Sequence, residues 1–206
     1  VTYSPKSFNN KFGVPISLFN LKKNDDFGIF EIGMNKKNEI NVLSKILRPD
    51  VGIITNISYA HIENFKNIKE IASTKSEIIQ NIKKNGYLVL NGDDHFYNFH
   101  KKMALNIKLR IITFSIKNKS SNIYLKSVKK ENSKYKIFVK VDNLNKYFYF
   151  STPYENDIKN LLAAIAVISI FKDIKKLDNN IFYKHQIPDG RGDISHIKLL
   201  KKNFYL

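Results

Sequence analysis

Lys75 stands where a charged amine is out of place. Ile68, Ile71, Ala72, Lys75, Ile78, Ile79 and Ile82 recur at the three-and-four spacing of one helix face, and every member but the lysine is apolar. Such a lysine either carries its ammonium out to water along its methylene stem or performs chemistry. A carboxylate and an imidazole lie upstream. Glu31 comes near the end of the apolar run 27–32, and His61 follows the loop-like segment 55–60. Carboxylate oxygens suit hard cations. An imidazole binds metals or moves protons near neutral pH. A semi-buried amine gives up its proton more readily than a solvated one. Each also has an ordinary reading: Glu31 as a helix cap or lysine partner, His61 as a hydrogen-bonded loop residue, Lys75 as a snorkelling lysine. What would make them a site is convergence.

The surrounding pattern supplies elements that could bring them together. Residues 27–32 read as a strand, 39–47 as a helix and 51–57 as a strand. The stripe around Lys75 predicts one helix over 68–82, with the lysine near its middle. A turn at Asn85-Gly86, a strand over 87–90, a helix over 95–103 and a strand over 108–114 follow. Alternation of this length predicts an α/β fold with a mostly parallel, Rossmann-like or P-loop-type sheet flanked by helices. Over about 122–151 the pattern changes to short strands at 122–128, 135–141 and 146–150. Tyr135, Ile137, Val139 and Val141 alternate with polar residues, as in a small antiparallel β meander with one wet face. Helices are expected again over 157–171 and 174–183. Ligands of open parallel sheets bind beyond the carboxyl ends of strands, and Glu31 and the segment from Asn56 to His61 both fall at such ends.

Composition bounds the function. The chain has 206 residues, 43% of them hydrophobic, enough for one sizeable core. No apolar run approaches the ~18 residues of a membrane span, and no signal-peptide pattern opens the chain. Val1 is not an initiator methionine, so a piece of a longer chain is expected. The absence of cysteine excludes disulfides and thiolate metal sites and fits a cytoplasmic location. A net charge of +17 raises the alternative of a basic nucleic-acid-binding module. Against it, only Arg48, Arg110 and Arg191 among the 35 basic residues are arginines, and the lysines are scattered. A solvated, lysine-coated surface accounts for the charge, and no nucleic-acid partner is expected.

The order of motifs resembles the central, ATP-binding domain of the Mur ligases. It runs Asn9-Asn10-x-x-Gly13-Val14-Pro15, Glu31-Ile32-Gly33-Met34-Asn35-x-x-x-Glu39-Ile40 and Arg48-Pro49. Thr55-Asn56-Ile57, Ala60-His61, Ile71-Ala72-x-x-Lys75-x-Glu77-Ile78, Asn85-Gly86 and Leu90-Asn91-x-Asp93-Asp94 follow. The resemblance covers essentially the whole chain and implies an ATP-dependent carbon–nitrogen ligase of peptidoglycan synthesis, the pathway behind cell shape and division. In such ligases ATP phosphorylates a peptide carboxylate and an incoming amine displaces the phosphate. The first two segments resemble most the member that joins D-Ala-D-Ala to UDP-MurNAc-tripeptide. Another Mur ligase or a folylpolyglutamate synthase relative is the near alternative.

By the same resemblance, Glu31 is implied to bind magnesium, His61 to help hold a second magnesium ion, and Lys75 to become a carbamate by reaction with carbon dioxide. These three are the implied catalytic and metal-binding residues. Asn56, Asn160, Arg191 and Asp157 are implied nucleotide contacts, and Asn9 and Asn10 lie near the muramoyl-peptide substrate. Helix capping before Gly13 is an equal reading for Asn9 and Asn10. Three departures stand out. Asn156 and Asp157 occupy positions where the family has histidine and asparagine, and Asn38 stands where it usually has glycine. The phosphate-binding Gly-Lys-Thr loop does not occur in the chain. The resemblance therefore implies a central domain, 1–206, truncated at both ends and inactive by itself, from a protein expected to be monomeric.

Overall fold

Thr2–Tyr3 (β1) and Gly28–Ile29 (β2) pair in parallel in the computed structural model of the chain. The structure describes residues 1–5, 8–59 and 62–184, and the backbone of 196–199 and 202–205. The strand expected over 27–32 is therefore only two residues long. Past Ile29 the chain finds other partners. The Glu31 amide donates to Ser4 Oγ at 3.2 Å, and the Gly33 amide to the Asn9 carbonyl at 2.7 Å.

Gly13–Phe19 (α1) and Glu39–Leu47 (α2) follow. α2 matches the expected range and buries Ile40, Leu43 and Ser44. Its N-cap, Asn38, has φ 70° and makes no side-chain cap bond. This left-handed conformation explains why glycine is usual there, and asparagine is the residue that tolerates it next best. A distant carboxylate takes over the capping: Glu77 accepts the Asn38 amide at 2.8 Å and the Asn41 amide at 3.0 Å.

Val51–Ile54 (β3) leads through a loop to Ile68–Lys75 (α3), whose N-cap Asn67 accepts the Glu70 amide at 3.0 Å. The single helix expected over 68–82 is two elements. Lys75 is the last residue of α3, and a 3₁₀ helix runs from Ser76 to Asn81. The change comes where His100 Nε2, at 3.1 Å, shares the Ala72 carbonyl with the Ser76 amide. Asn81 Nδ2 then ties the 3₁₀ segment to Asn41 Oδ1 and Ser44 Oγ, both at 2.9 Å.

Tyr87–Asn91 (β4), Tyr97–Asn106 (α4), Arg110–Ser115 (β5), Ile123–Glu131 (β6), Lys134–Val141 (β7), Leu144–Phe150 (β8) and Glu155–Phe171 (α5) complete the main body. One six-stranded sheet has the order β3-β4-β5-β6-β7-β8. It is parallel through β6 and antiparallel from β6 to β8. The expected meander is therefore continuous with the parallel sheet. On its outer face Lys136 lies over Tyr147 and Lys134 over Tyr149, at 4.0 and 3.5 Å from the ring centres.

The helix expected over 174–183 is only a 3₁₀ turn, Ile174–Lys176. The chain there lies along β8 instead. The Tyr149 amide donates to the Asn179 carbonyl at 2.8 Å, and Lys146 Nζ to the Leu177 carbonyl at 2.7 Å. His196–Leu199 (β9) and Lys202–Tyr205 (β10) form a separate antiparallel pair.

β4 shows why the sheet is covered on both sides. Leu88 and Leu90 pack with Ile54, Ile79 and Ala104 on one face. Val89 packs with Phe114, Ile123 and the α5 residues Leu162 and Ile165 on the other. All three β4 side chains are at most 1% exposed. A strand buried on both faces is apolar at consecutive positions, as the run Leu88-Val89-Leu90 is. α5 carries the apolar stretch 161–171. Among the described residues no helix is long and apolar enough to cross a membrane.

Candidate active site

The carboxyl ends of β3 and β5 face the start of α5 across a cleft of about 280 Å³. Thr55 and Asn56 follow β3 on one side, and Asn156, Lys159 and Asn160 come from the first turns of α5 on the other. Phe114 from β5 completes the lining. The structure thus brings together Asn56 and Asn160, two of the residues expected to meet a nucleotide. Asn156 joins them because residues four apart share a helix face. Asp157 is not in the lining, and its carboxylate accepts the Thr152 hydroxyl at 2.6 Å. A larger hollow of about 570 Å³, lined by residues including Lys37, Phe65 and Glu70, contains none of the residues expected to do chemistry. Two of its charged residues, Lys37 and Glu70, are paired with each other.

Lys75 reaches the same region from α3. Its Nζ donates to the Asn56 carbonyl at 3.0 Å. The side chain is half-buried, and burial pulls its pKa below the ordinary lysine value, with the negative charge of Asp94 opposing the shift. The amine is therefore neutral more often than a solvated lysine would be. The Lys75 ammonium is turned onto the backbone carbonyl of an exposed residue, Asn56.

Asp93 and Asp94, at the carboxyl end of β4, fasten the loops on either side. Asp94 Oδ2 accepts the Ile57 amide at 2.7 Å, in the loop after β3, and its Oδ1 accepts the Phe96 amide at 2.8 Å. Asp93 accepts the Ser115 hydroxyl at 2.5 Å and the Ile116 amide at 2.7 Å, after β5. The motif Asn91-x-Asp93-Asp94 marked these residues, but no spacing in the sequence reveals which distant amides they hold.

Glu31 and Asn9 are also together. Asn9 Nδ2 donates to Glu31 Oε1 at 2.9 Å, and the Glu31 side chain is exposed. Asn10 serves the start of α1, where its Oδ1 accepts the Phe12 and Gly13 amides at 3.0 and 2.9 Å. His61 and Arg191 lie outside the described residues. Among the described residues no three of His, Cys, Asp and Glu cluster closely enough to hold a metal ion.

Buried His100 stands behind the site on α4. Burial lowers its pKa below the ordinary value, while its bond to the Ala72 carbonyl and the charge of Asp94 work against the shift.

A family model described as "Mur ligase middle domain" matches residues 1–168. A UDP-N-acetylmuramoyl-tripeptide–D-alanyl-D-alanine ligase from Buchnera aphidicola subsp. Baizongia pistaciae is 35% identical over 168 residues, covering 80% of this chain and 35% of that protein. The chain thus spans about a third of that relative's length. A crystal structure of MurF from Acinetobacter baumannii superposes with a TM-score of 0.85 at 22% identity, covering 99% of this chain and 44% of that one. MurF ligase from Thermotoga maritima, solved in complex with ADP, gives a TM-score of 0.80 at 22% identity, covering 94% of this chain and 44% of that one.

Proposed function

The chain belongs to the Mur ligase middle-domain family, and on that footing we propose that it is the ATP-binding central domain of a longer ligase that joins D-Ala-D-Ala to UDP-MurNAc-tripeptide. The observation that carries this is the cleft at the carboxyl ends of β3 and β5. There Asn56 lines the cleft and also receives Lys75 on its carbonyl. The names of the relatives support the choice of substrates. The reaction belongs to peptidoglycan synthesis in the cytoplasm.

The cleft suits a nucleotide. Asn56, Asn156 and Asn160 offer amide donors and acceptors for a base or ribose, and Lys159, also in the lining, is paired with Glu155 at 2.6 Å. The fit to magnesium is conditional on Lys75. Glu31 supplies one carboxylate, oriented by Asn9, and an ammonium at Lys75 would repel a cation. As a neutral amine, Lys75 adds through Nζ to the carbon of carbon dioxide and releases one proton. The product is a carbamate anion, which offers oxygen donors to a hard cation. His61 and Arg191 enter the proposal from their motif positions alone, as a second metal ligand and a phosphate contact. When bound, ATP supplies the leaving group that a carboxylate lacks, and magnesium offsets the charge gathering on its oxygens.

The test is Lys75→Ala in the full-length protein. Activity with D-Ala-D-Ala, read by phosphate release, is expected to fall at least about a hundredfold, the scale of removing one electrostatic stabiliser. A short-chain carboxylate is expected to restore part of it. Wild-type turnover in the variant would return Lys75 to an ordinary structural role. Profiling single amino acids against D-Ala-D-Ala tests the substrate. The isolated 206 residues are expected to release no phosphate.

A further inference from the structure

We propose that Asp94 is a positioning residue that fixes the peptide group between Asn56 and Ile57, and so holds the nucleotide cleft and the Lys75 amine in one register. The carbonyl of Asn56 and the amide of Ile57 belong to the same planar unit, and in a trans peptide they point in opposite directions. Lys75 Nζ donates to the carbonyl at 3.0 Å. Asp94 Oδ2 accepts the amide at 2.7 Å. The two charged side chains therefore grip opposite edges of one peptide plane.

Rotation of that plane would release both bonds and swing Asn56, which lines the cleft. Asp94 is itself held. Its Oδ1 accepts the Phe96 amide at 2.8 Å, and its own amide donates to the Asn91 carbonyl at 3.2 Å. It therefore ties the loop after β3 to the end of the central strand. Hydrogen bonds to a carboxylate are the stronger kind, so this loop of exposed and half-buried residues has a firm anchor. The functional part of the inference rests on the carbamate reading of Lys75. The positional part rests on the peptide plane alone.

Three variants of the full-length protein test it. Asp94→Asn leaves one acceptor oxygen for two amides. Asp94→Glu keeps both acceptors but moves them by one methylene. Asn56→Ala removes a side chain and leaves the peptide group in place. The readouts are the KM for ATP, carbamate occupancy by NMR with ¹³C-bicarbonate, exchange of the Ile57 amide, and the melting temperature.

Asp94→Asn is expected to raise the KM for ATP about tenfold, the scale of one charge-assisted hydrogen bond. Ile57 amide exchange is expected to quicken as well. Asn56→Ala is expected to raise the KM alone. Asp94→Glu is expected to fall between Asp94→Asn and wild type in KM and exchange. Because the Asp94 charge itself favours the protonated Lys75 amine, the effect of position on carbamate occupancy is read from Asp94→Glu, which keeps that charge and is expected to need more bicarbonate than wild type. A folded Asp94→Asn protein with wild-type KM and Ile57 exchange, beside an Asp94→Glu protein with wild-type carbamate occupancy, would overturn the proposal. So would a drop in melting temperature with no other change, or a failure of both Asp94 variants to fold, since either makes Asp94 merely structural. A wild type with no carbamate signal would instead sink the reading of Lys75. The KM and Ile57 exchange then decide the role of Asp94 by themselves.

Discussion

Replacing Glu77 by alanine is expected to loosen α2 from a distance. α2 has nine residues, too few to hold a helix without tertiary support. Asn38 gives it no side-chain cap, so two of its amides at the N-terminus, those of Asn38 and Asn41, depend on the Glu77 carboxylate. Losing a side-chain cap costs about 0.5–2 kcal/mol. Losing a negative charge at a helix N-terminus costs about 0.3–1 kcal/mol more. Glu77→Ala should therefore cost about 2 kcal/mol. Glu77→Gln, which keeps one acceptor oxygen and no charge, should cost about 1 kcal/mol. With a urea slope of about 2 kcal/mol/M, the unfolding midpoint would fall by about 1 M and about 0.5 M respectively, followed by far-ultraviolet circular dichroism. Salt separates the two contributions. At 1 M NaCl screening acts within about 3 Å, so the gap between wild type and Glu77→Gln should narrow while that between Gln and Ala persists. A midpoint for Glu77→Ala within about 0.2 M of wild type would refute the reasoning, because water would then serve the two amides equally well.

Three further outcomes follow from the geometry. His100 has its pKa lowered by burial, so between that lowered value and 6.5 the unfolded chain binds more protons than the folded one. Stability should rise with pH across that window and fall in acid. Melting temperatures from pH 5 to 7.5 should show the slope in wild type and a weaker one in His100→Gln. Gly86→Ala would place a Cβ 2.7 Å from the Asp50 carbonyl oxygen and 2.8 Å from that of Lys83. Both are backbone atoms, so a loss of about 2 kcal/mol is expected, and an unchanged melting temperature would contradict it. Asn160→Ala, at the exposed mouth of the cleft, should weaken ADP binding to the full-length protein about tenfold without lowering the melting temperature; calorimetric titration reads this directly, and wild-type affinity would remove Asn160 from the nucleotide site.

Much of the architecture was legible where periodicity had one meaning. α2 kept its expected range because its apolar spacing sits between a turn and Arg48-Pro49. β7 followed the alternation of Tyr135, Ile137, Val139 and Val141. The stripe through Lys75 was ambiguous for a physical reason. Side chains three apart stay on one side in both α and 3₁₀ helices, so the pattern ran unbroken across a change of helix type at Ser76. The stretch 174–183 misled because bonds to β8 override local helix preference. At the candidate site, the apolar stripe singled out Lys75 and the family resemblance pointed to Asn56 and Asn160; the structure brings the two asparagines to one cleft and Lys75 onto the Asn56 carbonyl. The contacts of Asp93, Asp94 and Glu77 were not legible, since each carboxylate meets amides far away in the chain. The pairing of Asn9 with Glu31 was hidden for the same reason.

The junction of the two halves of the sheet also shapes how the chain comes together in time. β6 joins the parallel strands through two pairs only, Phe114 with Ile123 and Ser115 with Tyr124. The hairpins β6–β7 and β7–β8 close through tight turns at Asn132 and Asp142, both with positive φ. Closing a short loop costs less entropy than joining parallel strands through a helical crossover. The antiparallel half can thus assemble early, leaving β3, β4 and β5 to add later, with α5 docking across the two. Pulse-labelled amide exchange during refolding would then protect Ile137 and Val139 before Leu88 and Leu90, and the reverse order would mean that the crossovers nucleate the fold. The cleft, which needs β3, β5 and α5 together, would be among the last features to form.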